Sequence, residues 1–449
     1  MPLHARRSLL LLACLLCLPP AAPGEEGSGD GPALLIRDAT LWNGTADHAT
    51  AGQSLLIEGG MIRAVGEALE APPGARVIDA GGRFVMPGII DAHTHLALPV
   101  APDRIHEEDP SYLTALSLEA ARLVLMRGWT TVRDIGGPAQ GLARAIDEGL
   151  AIGPRIYPSA AVVSQTSGHG DRRALTDLHP ASGAVLNPYW QRYSLLADGP
   201  AEVRRAVRES LRQGAAQIKL MAGGGISSDY DPIDTVQFSE AELRAAVEAA
   251  ADWGTYVAVH AYTDAAVRRA LAAGVKVIEH GHLVSEDTLR ELKRRGAFLS
   301  SQSFGFVREY ARRGDSRRAR KAELVMSGTD NLMNTAKRLG IPVAFGTDSF
   351  GSLRAYRGAV KEFGYRLRWF TPLEILKQAT SVNARLLALT GPRNPYPDGP
   401  LGVIEPGAYA DILIVDGDPL ADIRILERPA ETLRLVVKGG RIYRDTLTQ

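Results

Sequence analysis

Six residues of metal-ligand type stand at or near the ends of apolar, strand-like runs of this sequence. They are four histidines, a lysine and an aspartate, namely His93, His95, Lys219, His260, His280 and Asp348. In a barrel of alternating strands and helices, the carboxyl ends of all strands open at one mouth, so ligands far apart in sequence can meet at one centre. Imidazole and oxygen ligands without thiolate favour Zn²⁺, with Mn²⁺, Co²⁺ or Fe²⁺ as alternatives.

The pair His93 and His95 ends the run FVMPGIIDAHTH. Residues two apart on a strand point to the same face, so both imidazoles could bind one ion. A lone histidine at a strand end, such as His260 or His280, is more often a hydrogen-bonded core residue. Four histidines at matching strand ends favour joint metal binding.

Lys219 lies inside the apolar run AQIKLM, where an ammonium group would be buried at high cost unless it is paired or chemically altered. Reaction of its amine with CO₂ would give a carbamate, an anion whose two oxygens could bridge two divalent metal ions. The alternative is a salt bridge to an acid such as Asp348.

Asp348 follows AFGT at the end of the last strand-like run. It could bind one metal and act as general base for the water that the metals activate. Two close metals would bring the pKa of a bridging water towards neutral, so that hydroxide could attack a polarised carbonyl. These residues predict a two-metal hydrolase. A helix N-cap within TDS is the structural alternative for Asp348.

Three residues on the predicted barrel mouth are candidates for substrate binding. His169, in SGHGD, could hold a substrate carboxylate or carbonyl oxygen, Tyr230 could donate from its phenol, and Tyr262 lies on the same strand face as His260. A loop histidine and a surface tyrosine without function are the alternatives for the first two. Arg133 and Asp134 are expected to form a structural ion pair beneath the site.

The order of predicted elements indicates an α/β protein with a (β/α)8 TIM-like barrel over residues 88–395. Eight strand-like runs alternate with helical patterns there: GIIDAHTH, TTVRDI, RIYPSA, AQIKLM, TYVAVHA, VKVIEHG, AFLSSQ and PVAFGTD. Residues 34–87 and 396–449 are strand-rich, with Gly-containing turns. We therefore expect a small β-sandwich domain that is built from both termini.

The composition favours small-molecule chemistry. The 449 residues contain 51 Lys and Arg and 51 Asp and Glu, so there is no basic surface for nucleic acid. A small molecule or short peptide is the expected substrate. The Arg-rich stretch from Arg308 to Lys321 is typical of a solvated helix face.

The N-terminus predicts export. Residues 1–24 combine Arg6 and Arg7 with an apolar run and a small-residue stretch, as a cleaved signal peptide does, and residues 25–33 form a Gly-rich linker. The apolar run is too short for a membrane span. A periplasmic or secreted protein is expected, and lipidation at Cys14 is an alternative because LLAC is similar to a lipoprotein cleavage box.

The HxH, Lys, His, His, Asp order resembles that of the amidohydrolase superfamily. The segments GGRFVMPGIIDAHTH, SQTSGHGD, IEHG, GTDS and GAYADILIVDGDPL are similar to the branch of imidazolonepropionase-related proteins and Xaa-Pro dipeptidase-like metallo-carboxypeptidases, including ochratoxin-degrading amidases. The resemblance implies His93 and His95 on the more buried metal and His260 and His280 on the other. It implies carboxylated Lys219 between them, Asp348 as base, and a homo-oligomer.

The expected reaction is hydrolysis of the C-terminal amide bond of dipeptides or N-acyl amino acids. Imidazolonepropionase itself and the deaminases of the superfamily use one metal without a bridging lysine, so Lys219 argues against both. Hydrolysis of a cyclic amide or lactone by the same centre, and a non-catalytic metal-binding scaffold, are the two alternatives.

Overall fold

The computed structural model describes residues 32–184, 190–303, 307 and 316–447. The predicted signal peptide, including Cys14, lies outside the described residues. The described chain forms strands β1 Leu34–Leu41, β2 Thr50–Glu58, β3 Met61–Glu67, β4 Arg76–Asp79, β5 Phe84–Pro87, β6 Ile89–Thr94, β7 Trp129–Asp134, β8 Arg155–Pro158, β9 Val162–Ser164, β10 Ser194–Leu196, β11 Ile218–Met221, β12 Val257–Thr263, β13 Val277–Leu283, β14 Phe298–Ser301, β15 Val343–Phe345, β16 Ile412–Val415, β17 Leu433–Lys438 and β18 Arg441–Asp445.

Strands β6 to β15 form a TIM-like barrel. They pair in parallel in two hydrogen-bonded sets, β6-β7-β8 and β10-β9-β11-β12-β13-β14-β15. The sets join through a parallel bridge between Thr94 and Ser349 and through the bond from Ala216 N to Pro158 O. Each of the eight predicted runs overlaps one of these strands, so the predicted barrel is confirmed. The connection from Val162 to Gly199 contains two further short strands, β9 and β10, which lie outside the eight predicted runs.

Helices connect the barrel strands and shield their outer faces. The helix Glu240–Ala251 begins with a capping box in which Ser239 and Glu242 satisfy each other's backbone N–H groups. It buries Leu243, Ala245, Ala246, Ala249 and Ala250. The α-helices are Pro110–Leu125, Gln140–Asp147, Pro200–Arg212, Glu240–Ala251, Asp264–Ala273, Glu286–Arg294, Arg317–Ser327, Thr329–Arg338, Leu353–Gly358, Glu362–Arg366, Pro372–Lys377, Asn383–Leu387 and Pro429–Thr432. Short 3₁₀ or π segments are Pro102–Arg104, Pro180–Ser182, Trp190–Arg192, Ala359–Lys361, Gln378–Val382, Ala388–Arg393 and Ile423–Glu427.

Strands from both ends of the chain share one sheet outside the barrel. Its order is β18-β17-β16-β5-β1-β2-β3, and β4 pairs with β1. The antiparallel pairing of β16 with β5, from Ile412 opposite Pro87 to Val415 opposite Phe84, joins the two segments. Alternate residues of these strands, such as Ile36 and Leu435, are fully buried in a common core. The division of this sheet into a sandwich, and the domain boundaries, stay predictions.

Within residues 32–184, 190–303, 307 and 316–447, no helix has the length and apolarity that a membrane crossing requires.

Candidate active site and metal centre

The barrel mouth contains a cavity that is lined by most of the predicted site residues. It is lined by all six predicted metal ligands, His93, His95, Lys219, His260, His280 and Asp348, and by His169, Tyr262 and Arg172. The six ligands lie in β6 or directly after it, within β11, β12 and β13, and in the turn after β15. This is where the barrel geometry directs catalytic side chains.

Two histidines and Asp348 form the tightest group in this cavity. Oδ1 of Asp348 lies 3.4 Å from Nε2 of His93 and 3.4 Å from Nε2 of His95. One ligand atom from each of the three residues lies within 4.8 Å of the others, so the group could hold a metal ion. Burial opposes ionisation of Asp348, but the neighbouring His93 and the hydrogen bonds to the two imidazoles hold its pKa well below the usual range.

The far nitrogens of these imidazoles are held by buried acceptors. Nδ1 of His93 donates to Oε2 of Glu279 at 2.8 Å, and Nδ1 of His95 donates to the Gly136 carbonyl at 3.1 Å. Because both partners accept only, Nδ1 of each imidazole carries a proton, and loss of the Nε2 proton would free the Nε2 lone pair for a metal ion beside Asp348. The tautomers therefore suit metal binding.

The predicted ion pair between Arg133 and Asp134 is wrong. Nη2 of Arg133 lies 2.5 Å from Oε1 of Glu279, so the carboxylate of Glu279 joins Arg133 to His93. Asp134 instead accepts from the backbone N of Leu96 at 2.7 Å, and burial raises its pKa to about 7. Adjacent residues on a strand point to opposite faces, which separates the two side chains.

His260 and His280 complete a cluster of four imidazoles. Their ring centroids are 4.6 Å apart, and the His280 ring lies 5.0 Å from that of His93. Nε2 of His260 donates to the Gly224 carbonyl at 3.1 Å, and Nδ1 of His280 donates to the Gln302 side-chain oxygen at 2.8 Å. Burial holds the pKa of both imidazoles well below the usual range, so they are neutral and suited to bind cations.

Lys219 is buried in the same cavity, with 1% of its surface exposed. Within the described part of the chain it forms no salt bridge, so the alternative pairing with Asp348 is absent. Burial lowers the pKa of its amine to about 8. A lysine in this state has an appreciable neutral fraction near pH 7, which is the reactive form of the amine.

Two of the candidate ligands have unusual backbone conformations. Asp348 has φ of 52° and His280 has φ of 73°, in the left-handed region that non-glycine residues rarely adopt. Asp348 is held there by its backbone N, which donates to the His93 carbonyl at 2.7 Å. The cap of the following helix is Ser352, so Asp348 is not an N-cap. Such strain is typical of functional sites.

His169 lies at the side of the cluster, on the loop after β9. Its ring stacks on that of His260 at a centroid distance of 4.4 Å, and its Nδ1 lies 3.1 Å from Oδ2 of Asp231 and 2.8 Å from Oγ of Ser228. A Cβ at Gly225 would lie 1.9 Å from Cε1 of His169. The ring therefore requires glycine at that position.

Lys321 fixes the loop that holds His169. Its ammonium donates to three backbone carbonyls, those of Gly225 at 2.9 Å, Ser228 at 2.9 Å and Asp231 at 2.6 Å. The solvated helix face predicted for this stretch is therefore wrong at Lys321, which is buried because the loop 222–238 folds over the start of the helix Arg317–Ser327.

The two predicted tyrosines occupy different places. Tyr262 is buried in the cavity, 4.9 Å from the His260 ring and 5.2 Å from the His280 ring by centroid. Burial raises its pKa well above the usual range, so its phenol stays protonated. Tyr230 is 52% exposed and lines an outer groove beside the cavity, together with Asp103 and Arg172.

Three residues of the site escape prediction from the sequence: Glu279, Asp231 and Arg172. Glu279 had a usable signal, since a carboxylate inside the apolar run VKVIEHG needs a buried cation or donor just as Lys219 does. Asp231 and Arg172 lie in loop segments whose sequences have no periodic pattern.

The chain matches the family model described as amidohydrolase family over residues 84–442. Ochratoxinase of Aspergillus niger is 34% identical over 388 residues, which cover 80% of this chain and 75% of the relative. A crystal structure of a prolidase complexed with N-methylphosphonate-L-proline superposes with a TM-score of 0.83 at 33% identity, over 92% of this chain and 100% of that one. A Xaa-Pro dipeptidase structure with bound methionine gives 0.77 at 28% identity, over 92% and 100%. The chain therefore belongs to the amidohydrolase family, in the branch of ochratoxinase and the Xaa-Pro dipeptidases, and is a hydrolase that acts on C–N bonds.

Proposed function

We propose that this protein is an exported binuclear-metal amidohydrolase that hydrolyses the C-terminal amide bond of dipeptides or N-acyl amino acids. The observation that carries the proposal is the convergence of His93, His95, Lys219, His260, His280 and Asp348 on one cavity. The relatives support the choice of bond, because the names prolidase and Xaa-Pro dipeptidase refer to dipeptide substrates. The name ochratoxinase refers to a toxin instead.

The donor set fits two divalent ions, with Zn²⁺ preferred. His93 and His95 would hold one ion, His260 and His280 the other, with Asp348 on the first and carboxylated Lys219 between them. The Lys219 ammonium would first lose one proton, and the neutral amine would then attack CO₂, form a C–N bond and release a second proton. A buried cation would thereby become an anion. When bound, the metals polarise the substrate carbonyl and lower the pKa of water.

Residues of this chain would carry out the proton transfers of the hydrolysis. Asp348 is ionised at neutral pH, so it can accept a proton from the attacking water and pass it to the departing nitrogen. The bond from Nδ1 of His169 to Asp231 leaves Nε2 of that ring for the substrate, and in the protonated form of the imidazole Nε2 would donate to the carbonyl oxygen. The protonated phenol of Tyr262 is a second donor at the cavity wall. We assign substrate binding in the cavity to His169 and Tyr262. Tyr230 lines the outer groove and is not assigned this role.

A substrate panel tests the proposal. Purified, zinc-loaded enzyme is assayed with Xaa-Pro and other dipeptides, N-acyl amino acids, lactones and hydantoins. Turnover of the linear amides supports the proposal, and turnover of lactones or hydantoins alone would favour the cyclic alternative. Full metal occupancy without turnover of any substrate would contradict it and favour a scaffold.

Export and a homo-oligomer belong to the same proposal. Residues 1–24 support export through their signal-like pattern. Fractionation of cells that express the full chain, with sequencing of the mature N-terminus, tests cleavage and lipidation at Cys14. Sedimentation of the purified protein tests the oligomer.

A further inference from the structure

Arg172 is a nearly buried cation on the wall of the cavity that holds the predicted metal ligands. Its side chain is 12% exposed, and it lines both this cavity and the outer groove. Ser227 holds the guanidinium through two bonds, from Nη1 to its carbonyl at 2.6 Å and from Nη2 to its hydroxyl at 2.8 Å. Both partners are neutral, so they orient the charge without compensating it.

The charge of Arg172 is poorly compensated within the described part of the chain. The carboxylate nearest to it by salt bridge is Asp103, at 3.7 Å. That carboxylate is half exposed and is engaged by Arg318, whose Nη2 lies 2.8 Å from its Oδ2. Burial lowers the pKa of Arg172 and outweighs the three carboxylates that raise it, those of Asp103, Asp231 and Asp229.

Other buried arginines of this protein have a close carboxylate. Arg133 lies 2.5 Å from Glu279, Arg366 lies 2.8 Å from Glu362, and Arg155 lies 3.3 Å from Asp411. Arg173, next in the chain, lies 2.6 Å from Asp171. A buried cation is normally paired in this way, because an unpaired one is costly. The salt-bridge partner of Arg172, Asp103, lines the outer groove, and among the described residues no salt bridge joins Arg172 to Asp348, the carboxylate that lines the cavity.

We propose that Arg172 binds the free carboxylate of the substrate and thereby selects amides whose leaving group is an amino acid. This inference rests on the proposed function. A guanidinium presents paired N–H donors that match the two oxygens of a carboxylate. An incoming carboxylate would supply the missing partner, while Ser227 holds the guanidinium in place.

The test compares an N-acyl amino acid with the same molecule as its C-terminal carboxamide. In the wild type we expect kcat/KM to be at least about 30-fold higher for the acid, since loss of one partner of a buried charge pair costs a few kcal/mol. In Arg172→Met the acid should lose that advantage, mainly through KM, while the carboxamide changes by less than about threefold. Arg172→Lys should recover part of the activity on the N-acyl amino acid, because lysine keeps the positive charge but lacks the paired N–H donors of the guanidinium.

The matched control is Arg173→Met, which removes the neighbouring arginine and should keep the preference for the acid. Metal content and circular dichroism of each variant establish that it is folded. The wild-type comparison needs no variant, so a misfolded Arg172→Met leaves the proposal testable. Equal turnover of acid and carboxamide by the wild type would overturn the role of Arg172 but leave amide hydrolysis standing. Turnover of neither substrate would overturn both.

Discussion

The carboxylate of Glu279 lies between His93 and Arg133, 2.8 Å from Nδ1 of the imidazole and 2.5 Å from Nη2 of the guanidinium. All three side chains are buried. The acid thus orients a candidate metal ligand and also neutralises a cation beneath it. The two roles predict that a change at this position affects both metal binding and folding.

Glu279→Gln keeps the size of the side chain but removes its charge. We expect metal affinity to fall by about 10- to 100-fold, because the His93 ring loses a charged acceptor. The free energy of unfolding should fall by about 3 kcal/mol, because Arg133 is left without a buried counter-charge. Metal titration and urea unfolding measure the two effects. Glu209→Gln, at an exposed helix position, is the control, and unchanged metal affinity in Glu279→Gln would contradict the assignment.

Lys219→Met replaces the amine by an apolar group of similar length. Without a carbamate we expect metal content to fall and turnover to drop by at least about 100-fold. Elemental analysis and kcat measure this change, and Lys276→Met, at an exposed site, is the control. Metal-free wild type reloaded in CO₂-free buffer should regain less activity than in bicarbonate. Full activity in Lys219→Met would exclude the carbamate.

Asp348→Asn removes the proposed proton acceptor and leaves a side-chain oxygen that can still bind metal. Metal content should stay close to that of the wild type, while kcat falls by about 10²- to 10⁴-fold. Asp252→Asn, at an exposed helix end, should have no effect on either quantity. A variant that keeps wild-type kcat would show that another group carries the proton.

Gly225→Ala places a methyl group against the His169 ring, 1.9 Å from Cε1. The ring must move, so kcat/KM should fall by more than about tenfold while the metal content stays the same. Gly141→Ala is the matched control, since a Cβ there meets nothing within 4 Å. In a helix it should stabilise the protein slightly, by up to about 1 kcal/mol. If both variants have wild-type kinetics, His169 has no role in turnover.

Lys438, at the end of β17, donates from Nζ to the Gly153 carbonyl at 2.7 Å, and burial lowers its pKa from 10.5 to about 8. Between these pKa values the unfolded chain binds more protons, so raising the pH stabilises the fold at this site. Below the lower value the folded state carries the cost of a buried charge. The unfolding free energy of the wild type minus that of Lys438→Met should therefore rise by about 2 kcal/mol from about pH 6.5 to about pH 9.5. Urea unfolding at both pH values measures it, and a constant or falling difference would contradict the prediction.

The sequence by itself determined the eight barrel strands and the six residues that meet at the mouth. Both follow from local patterns, because apolar runs of strand length predict β6 to β8 and β11 to β15, and polar groups such as Lys219 stand out within or at the ends of these runs. The barrel then brings the six residues together without any knowledge of the loops.

Only the tertiary structure decided which groups support these residues. The partner of Arg133 is Glu279, on a strand far along the chain, because strand register and side-chain direction choose it over the adjacent Asp134. Lys321 is buried because a loop from another strand folds over it. Among the described residues Arg172 has no salt bridge to a carboxylate that lines the cavity, since its partner Asp103 lies in the outer groove and is also bound by Arg318. Each outcome depends on contacts between segments remote in sequence, which local patterns do not encode.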